Sequence, residues 1–241
     1  EQALAAGCRV IDHSVAFADQ ASVPLAGTPE AEGAGLVSVP MAEVLLLAPL
    51  LAALVGEAGL RVAHVALLLP VSSSGHAGVK ELAGQTGELL NGRGIEPVVF
   101  PVQTAFNTLP LVGSEREEAV TEGLQQLLGE HVPLVLSSVI VPVFYGLTAQ
   151  VTLETEAPLL PGAAMDLLDR LDAVEVRNPE EDQQVATPIT DAAGQPGIYV
   201  SGMRGLPAPL HGVTFTAVAD NVHQGAARQT VGLLEKWIKR L

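Results

Sequence analysis

Val139-Ile-Val-Pro-Val-Phe-Tyr-Gly-Leu-Thr-Ala-Gln-Val-Thr-Leu-Glu-Thr155 is the stretch on which the fold turns. From Gln150 to Thr155 apolar and polar residues alternate, which predicts a strand with one dry and one wet face. The stretch lies in a β-rich region running from Val132 to Glu156. Gly197-Ile-Tyr-Val200 and Val213 to Val218 are further predicted strands on its C-terminal side.

Upstream the pattern changes. Cys8-Arg-Val-Ile-Asp12 reads as a short buried strand with Cys8 as a core residue, and a turn-rich stretch follows to Gly35. Met41 to Val55 is apolar on nearly every face, so it predicts an interior helix, with Pro40 at or near its first turn. His64 to Leu69 is a continuous apolar strand that ends in a Ser72–Gly75 loop, and a helix is expected from Val79 to Leu90. Glu115 to Leu128 is amphipathic, with Val120, Leu124, Leu127 and Leu128 at helical spacing and Ser114 placed to cap it. Met165 to Leu171 predicts a short helix. The last helix, about Gly225 to Arg240, shows Ala227, Val231, Leu234 and Ile238 on one face. Helices alternating with strands and then long strands predict an α/β or α+β chain built on an open mixed sheet.

The totals exclude several functions. Of 241 residues 48% are apolar and 16% charged, a globular composition. The net charge of −15, with only 12 Lys plus Arg, repels nucleic acid and anionic membrane surfaces, so neither is an expected partner. The longest uncharged run, Val44 to Gly56, is shorter than the roughly 20 residues a bilayer crossing needs. One cysteine, Cys8, rules out an internal disulfide and fits a reducing, cytoplasmic compartment. Five of the six histidines, His13, His64, His131, His211 and His223, show no metal-ligand spacing, so no metal is expected.

Two landmarks carry a family resemblance. Val139 to Thr148 resembles V-R-V-P-V-F-x-G-H of the aspartate-semialdehyde dehydrogenases, and Ala219-Asp-Asn-Val-His-Gln-Gly-Ala-Ala227 resembles their D-N-L-x-K-G-A-A. Gly7 to Phe17, Val71-Ser-Ser-Ser-Gly75, Leu82 to Thr86, and Ala105-Phe-Asn-Thr-Leu-Pro110 with Gly113, Glu117 and Glu118 follow further family segments in order. The resemblance implies that residues 1–37 are the end of a Rossmann-type nucleotide-binding domain, with on the order of a hundred residues expected ahead of them. It implies a dimerisation domain over 38–219, and a C-terminal helix over 220–241 that returns to the nucleotide domain. It also implies a homodimer and NADP as the cofactor, although no G-x-G-x-x-G phosphate fingerprint occurs in the chain.

The same resemblance locates what has changed. Members of the family attack an aldehyde with a cysteine thiolate, pass a hydride to NADP and hand the acyl group to phosphate. Ser38 stands at the cysteine's position, Leu69 or Pro70 at a glutamine's, Ile140 at the substrate-binding arginine's and Leu147 at the catalytic histidine's. Val120 replaces an anion-binding lysine and Gly202 a second arginine, while Arg204 is kept. The expected substrate pocket therefore comprises Ser38, Ser73, Val120, Ile140 and Leu147, and the expected cofactor contacts are Asn221, Gly225 and Ala226. A substrate carboxylate would lose its partner there, at several kcal/mol.

Such a chain is expected to be a non-catalytic, Usg-type branch of the family, a dimeric binder of nucleotide or of a protein partner. The alternatives are an oxidoreductase acting on an uncharged substrate and, more remotely, a hydrolase using Ser38. Three bland readings compete: Ser38 caps the helix near Pro40, Asn221 caps the last helix, and Ser72–Ser74 with His76 is a plain surface loop instead of an anion-binding one.

Overall fold

The computed structural model describes residues 2–14, 17, 23–111, 113–129, 132–177, 185–222 and 227–239. Nine strands and six α-helices follow one another as α1 (Gln2–Ala5), β1 (Val10–Asp12), β2 (Leu36–Ser38), α2 (Ala42–Ala58), β3 (Leu60–Leu69), α3 (Gly75–Leu90), β4 (Leu109–Pro110), α4 (Glu115–Leu128), β5 (Leu134–Ile140), β6 (Leu147–Thr155), α5 (Pro161–Asp169), β7 (Val174–Val176), β8 (Ile198–Gly205), β9 (Gly212–Ala219) and α6 (Arg228–Ile238) among the described residues.

Seven strands form one mixed sheet in the order β4-β5-β3-β6-β9-β8-β7. β3 runs parallel to β5 and antiparallel to β6, and β6, β9 and β8 continue antiparallel. The alternation read in Gln150–Thr155 is the alternation of β6: Val151 and Leu153 are buried while Gln150 is exposed. On the dry face Ala63, Val65, Leu67 and Leu69 of β3 join Val151, Leu153, Val213, Phe215 and Ala217 in the main core. α2 lies in that core, with Leu46, Leu47, Leu50, Leu51 and Leu54 all buried. This is the interior helix that its all-round apolar sequence demands. α4 crosses it closely: a Cβ on Gly123 would come within 2.9 Å of Val44.

The other face of the sheet is wetter. His64, Val135, Ser137 and Gln150 are exposed there. Hydroxyl and amide pairs tie neighbouring strands, Thr152 to Thr214 at 3.0 Å and Gln150 Nε2 to Thr216 Oγ1 at 2.8 Å.

Ser114 caps α4 as its position predicts, its hydroxyl accepting from Glu117 N at 3.3 Å. Other elements differ from the sequence reading. The Ser72–Gly75 loop is a 3-10 turn, Val71–Ser74, that runs straight into α3 four residues before the predicted start. Gly78 makes this possible, because a Cβ there would sit 2.4 Å from Val71 O. α5 begins at Pro161, a residue suited to a first helical turn, and ends before Leu171. Cys8 is exposed, not a core residue, because β1 begins only at Val10.

The largest correction concerns α6. It buries Leu233 and Trp237 against Ala26, Ala31, Val37 and Val39, forming a small second core with the N-terminal segment. The indole N–H donates to Ala31 O, and Arg9 lies over the ring at 5.1 Å. The predicted face is open instead: Val231, Leu234 and Ile238 are all exposed. The helix carries two apolar stripes, and the aromatic one holds it to the rest of the chain. β1 and β2 pair in parallel as a separate two-stranded sheet beside this core.

No helix among the described residues is long and apolar enough to cross a membrane.

Candidate functional site

Parallel strands β3 and β5 end side by side, and the helices α2 and α4 begin above them. In open α/β sheets, ligands commonly bind outside the carboxyl ends of the strands. Three of the residues singled out in the sequence, Leu69, Ile140 and Leu147, meet here. Leu69 pairs with Ile140, Ile140 with Leu109, and Leu147 with Ala219. Leu147 stands one residue beyond the Leu68–Thr148 pair, so it neighbours Leu69. Three positions far apart in sequence thus form one row on the dry face of the sheet.

That row is part of the core. Leu69 is 1% exposed, Leu147 1% and Ile140 7%, all in the main apolar cluster. Val120 on α4 is buried in the same cluster. None of these side chains can transfer a proton or hold a carboxylate. Ser73 is half-buried in the turn after β3, and its carbonyl accepts from Arg116 Nη1 at 3.4 Å. Gly202 adopts φ +66° in an irregularity of β8 between Ser201 and Arg204, and Arg204 is exposed.

Ser38 closes β2 and is fully buried. Its hydroxyl donates to Asp12 Oδ2 at 3.3 Å, across the parallel pair that sets Asp12 opposite Ser38. It does not cap α2, whose N-cap is Met41, one residue after Pro40. Burial works to raise the Asp12 carboxyl, but hydrogen bonds from the Ser14 hydroxyl and backbone, the Ser38 hydroxyl and the Phe17 backbone outweigh it, leaving its pKa below the usual value. A carboxylate so stabilised is a weak base toward Ser38. His13, next in sequence, is engaged elsewhere, its Nε2 lying 2.7 Å from Thr230 Oγ1.

The depressed Asp12 has a consequence for acid stability. A lowered folded-state pKa contributes stability that is complete above the ordinary value of 3.8 and lost as pH falls through the folded value. Asp12→Asn is therefore expected to flatten the acid limb of a urea-midpoint profile below about pH 4. Superimposable limbs for the two proteins would disprove the assignment.

The two sequence landmarks meet at Asn221. Its carboxamide oxygen accepts from Gly146 N at 3.1 Å and lies 3.2 Å from Ser72 Oγ, while its Nδ2 is 3.0 Å from the same hydroxyl. Val71 N and Ser72 N donate to Val143 O and Phe144 O, so three segments are knotted together. Asp220, buried beside it, accepts from Gly194 N and Val222 N, both at 2.6 Å. Asn221 therefore does not cap α6, whose N-cap is Ala227. Gly225 and Ala226 lie outside the described residues, as do His131 and His223. In the Ser72–Ser74 turn two backbone N–H groups are already spent, Ser72 on Phe144 O and Ser73 on Pro70 O. His76 is exposed.

Sequence reading missed a pair of charges in the crevice. Arg116, in the first turn of α4, donates Nε to Glu43 Oε1 at 2.8 Å and Nη2 to the same oxygen. Glu43, in the first turn of α2, is 1% exposed, and its Oε2 has no hydrogen-bond partner among the described residues. The available signal was a lone glutamate heading a helix apolar on every face, since a buried charge requires a counter-charge.

A cleft of about 800 Å³ opens between α2, the start of β8 and α6, lined by Leu45, Pro49, Ile198, Arg228, Val231 and Glu235 among others. No group of three or more His, Cys, Asp or Glu suited to a metal ion occurs among the described residues.

The fold is that of an α/β protein with a helix-covered mixed sheet, and Leu69, Ile140 and Leu147 lie where β3 and β5 end. Residues 47–224 match the family described as semialdehyde dehydrogenase, dimerisation domain. The chain is 37% identical to a USG-1 protein homolog of Pseudomonas aeruginosa, over 99% of its own length and 74% of that protein's. It is 30% identical to aspartate-semialdehyde dehydrogenase 2 of Vibrio cholerae, over 97% and 73%. Among solved structures, aspartate semialdehyde dehydrogenase II of Vibrio cholerae, complexed with ASA, superposes with a TM-score of 0.91 at 29% identity, over 99% of this chain and 74% of that one. The chain belongs to the aspartate-semialdehyde dehydrogenase family.

Proposed function

We propose that this protein is a member of the family without dehydrogenase activity, a cytoplasmic homodimer that serves as a nucleotide-binding or partner protein. The observation that carries the proposal is the apolar row. Ile140, Leu69 and Leu147 fill the edge of the sheet where a substrate carboxylate and a proton would have to be held. Ser38, fully buried and tied to a carboxylate, adds no nucleophile. In this reading Ser38, Ser73, Val120, Ile140 and Leu147 mark a pocket occupied by the protein's own side chains.

The exposed and half-exposed wet face of the sheet supports the homodimer. The parallel β1–β2 pair, the second core and the open Val231, Leu234 and Ile238 stripe support assigning 1–37 and 220–241 to a nucleotide-binding domain and 38–219 to the dimerisation domain. A Candida albicans relative of similar fold, 16% identical at a TM-score of 0.71, is a complex with NADP. In this reading the described residues that such a cofactor would meet are the turn at Asn221 and the cleft beside Ala227. The Asn221 oxygen is already taken by Gly146, and no G-x-G-x-x-G occurs in these 241 residues. NADP therefore enters as a ligand to be tested, not as a participant in a step.

Two rival readings weigh less. An oxidoreductase for an uncharged substrate needs room beside the apolar row, and those side chains are packed in the core. A hydrolase needs an imidazole at Ser38, and the neighbouring His13 ring contacts Thr230.

The decisive assay is phosphate-dependent NADP reduction with aspartate semialdehyde, beside an NADPH fluorescence titration and gel filtration. The expected outcome is a dimer with no turnover above the blank. Turnover on the order of 1 per second or faster, the ordinary range for enzymes, would refute the reading.

A further inference from the structure

The Arg116–Glu43 pair has the make-up of an anion site that holds an anion of its own. Glu43 lies in the first turn of the 17-residue helix α2, where the helix dipole favours negative charge. Arg116 approaches from the outside, its side chain 30% exposed against 1% for the glutamate. The guanidinium spends Nε and Nη2 on a single carboxylate oxygen and reaches Ser73 O with Nη1. The second oxygen, Oε2, is buried and has no partner among the described residues, a costly arrangement if the pair were only packing. Two hydrocarbon side chains would fill the same space at lower cost.

We propose that Glu43 is a built-in occupant of an oxyanion site formed by the Arg116 guanidinium, and that it shuts out small external anions of the phosphate, sulfate or carboxylate class. This stands on the pair's own geometry and holds whether or not a dinucleotide binds elsewhere.

Inorganic phosphate, titrated by calorimetry against chloride at matched ionic strength, tests it in four proteins: wild type, Glu43→Ala, Glu43→Gln, and Glu43→Ala with Arg116→Gln. Circular dichroism confirms the fold of each. Phosphate is expected to bind Glu43→Ala or Glu43→Gln at least tenfold tighter than wild type, and to lose that gain in the double variant. Equal binding by wild type, no binding by either folded single variant, or binding that survives loss of Arg116 would each overturn the proposal. Failure of both single variants to fold would overturn it too, because the pair would then be a structural strut.

Discussion

Arg116→Ala is expected to cost about 3–5 kcal/mol of stability, the price of leaving a buried charge without its partner. Glu43 is 1% exposed, and Arg116 is the only partner its carboxylate has among the described residues. In a chain of this size each kcal/mol moves the melting temperature by roughly 2–4 °C, so a fall on the order of 10 °C should appear in a thermal scan. Glu43→Gln should cost far less, about 1 kcal/mol. The amide keeps the shape and one acceptor, and the guanidinium it leaves uncompensated can turn to water. The asymmetry is the test. Equal, small losses for the two variants would mean that water already reaches Glu43 and that the crevice is open.

Gly146→Ala is expected to destabilise by about 2–6 kcal/mol, the sum of backbone strain and overpacking. Gly146 has φ +94°, and an added Cβ would lie 2.6 Å from Pro188 Cβ and 2.8 Å from Pro188 O. Neither neighbour can yield easily: one belongs to a rigid ring and the other to the backbone of a short π-helical turn, Pro188–Ala192. Displacing Gly146 would also draw its N–H from Asn221 and loosen the knot joining the loops after β3, β5 and β9. Urea denaturation gives the energy, and amide exchange at Gly146 reports the loosening. A variant within about 0.5 kcal/mol of wild type, the range of an ordinary surface change, would remove the steric argument.

Much of the architecture could be read locally. The alternation in Gln150–Thr155 and the all-round apolarity of α2 are direct imprints of a half-wet strand and an interior helix, so both were found. Ser114 was legible because a cap acts within three residues. Where two local solutions were equally good, the sequence misled. α6 carries two apolar stripes, and only contact with Ala31, Val37 and Val39 decides that Leu233 and Trp237 are the buried pair. Cys8 looked like a strand residue because its neighbours are, yet β1 starts two residues later.

The candidate site divides in the same way. That Ile140 and Leu147 bear no acid, base or charge is a property of the residues themselves, and no folding could change it. The order and spacing of the family landmarks also belong to the sequence alone. That Leu69, Ile140 and Leu147 stand in one row is a product of strand register across β5, β3 and β6. Asn221 turned from a helix cap into the tie between Ser72 and Gly146, and Glu43 met Arg116 across 73 residues, only once the sheet had closed. Chemical capacity resides in each side chain, whereas partnership between distant side chains depends on which helices and strands the core forces together.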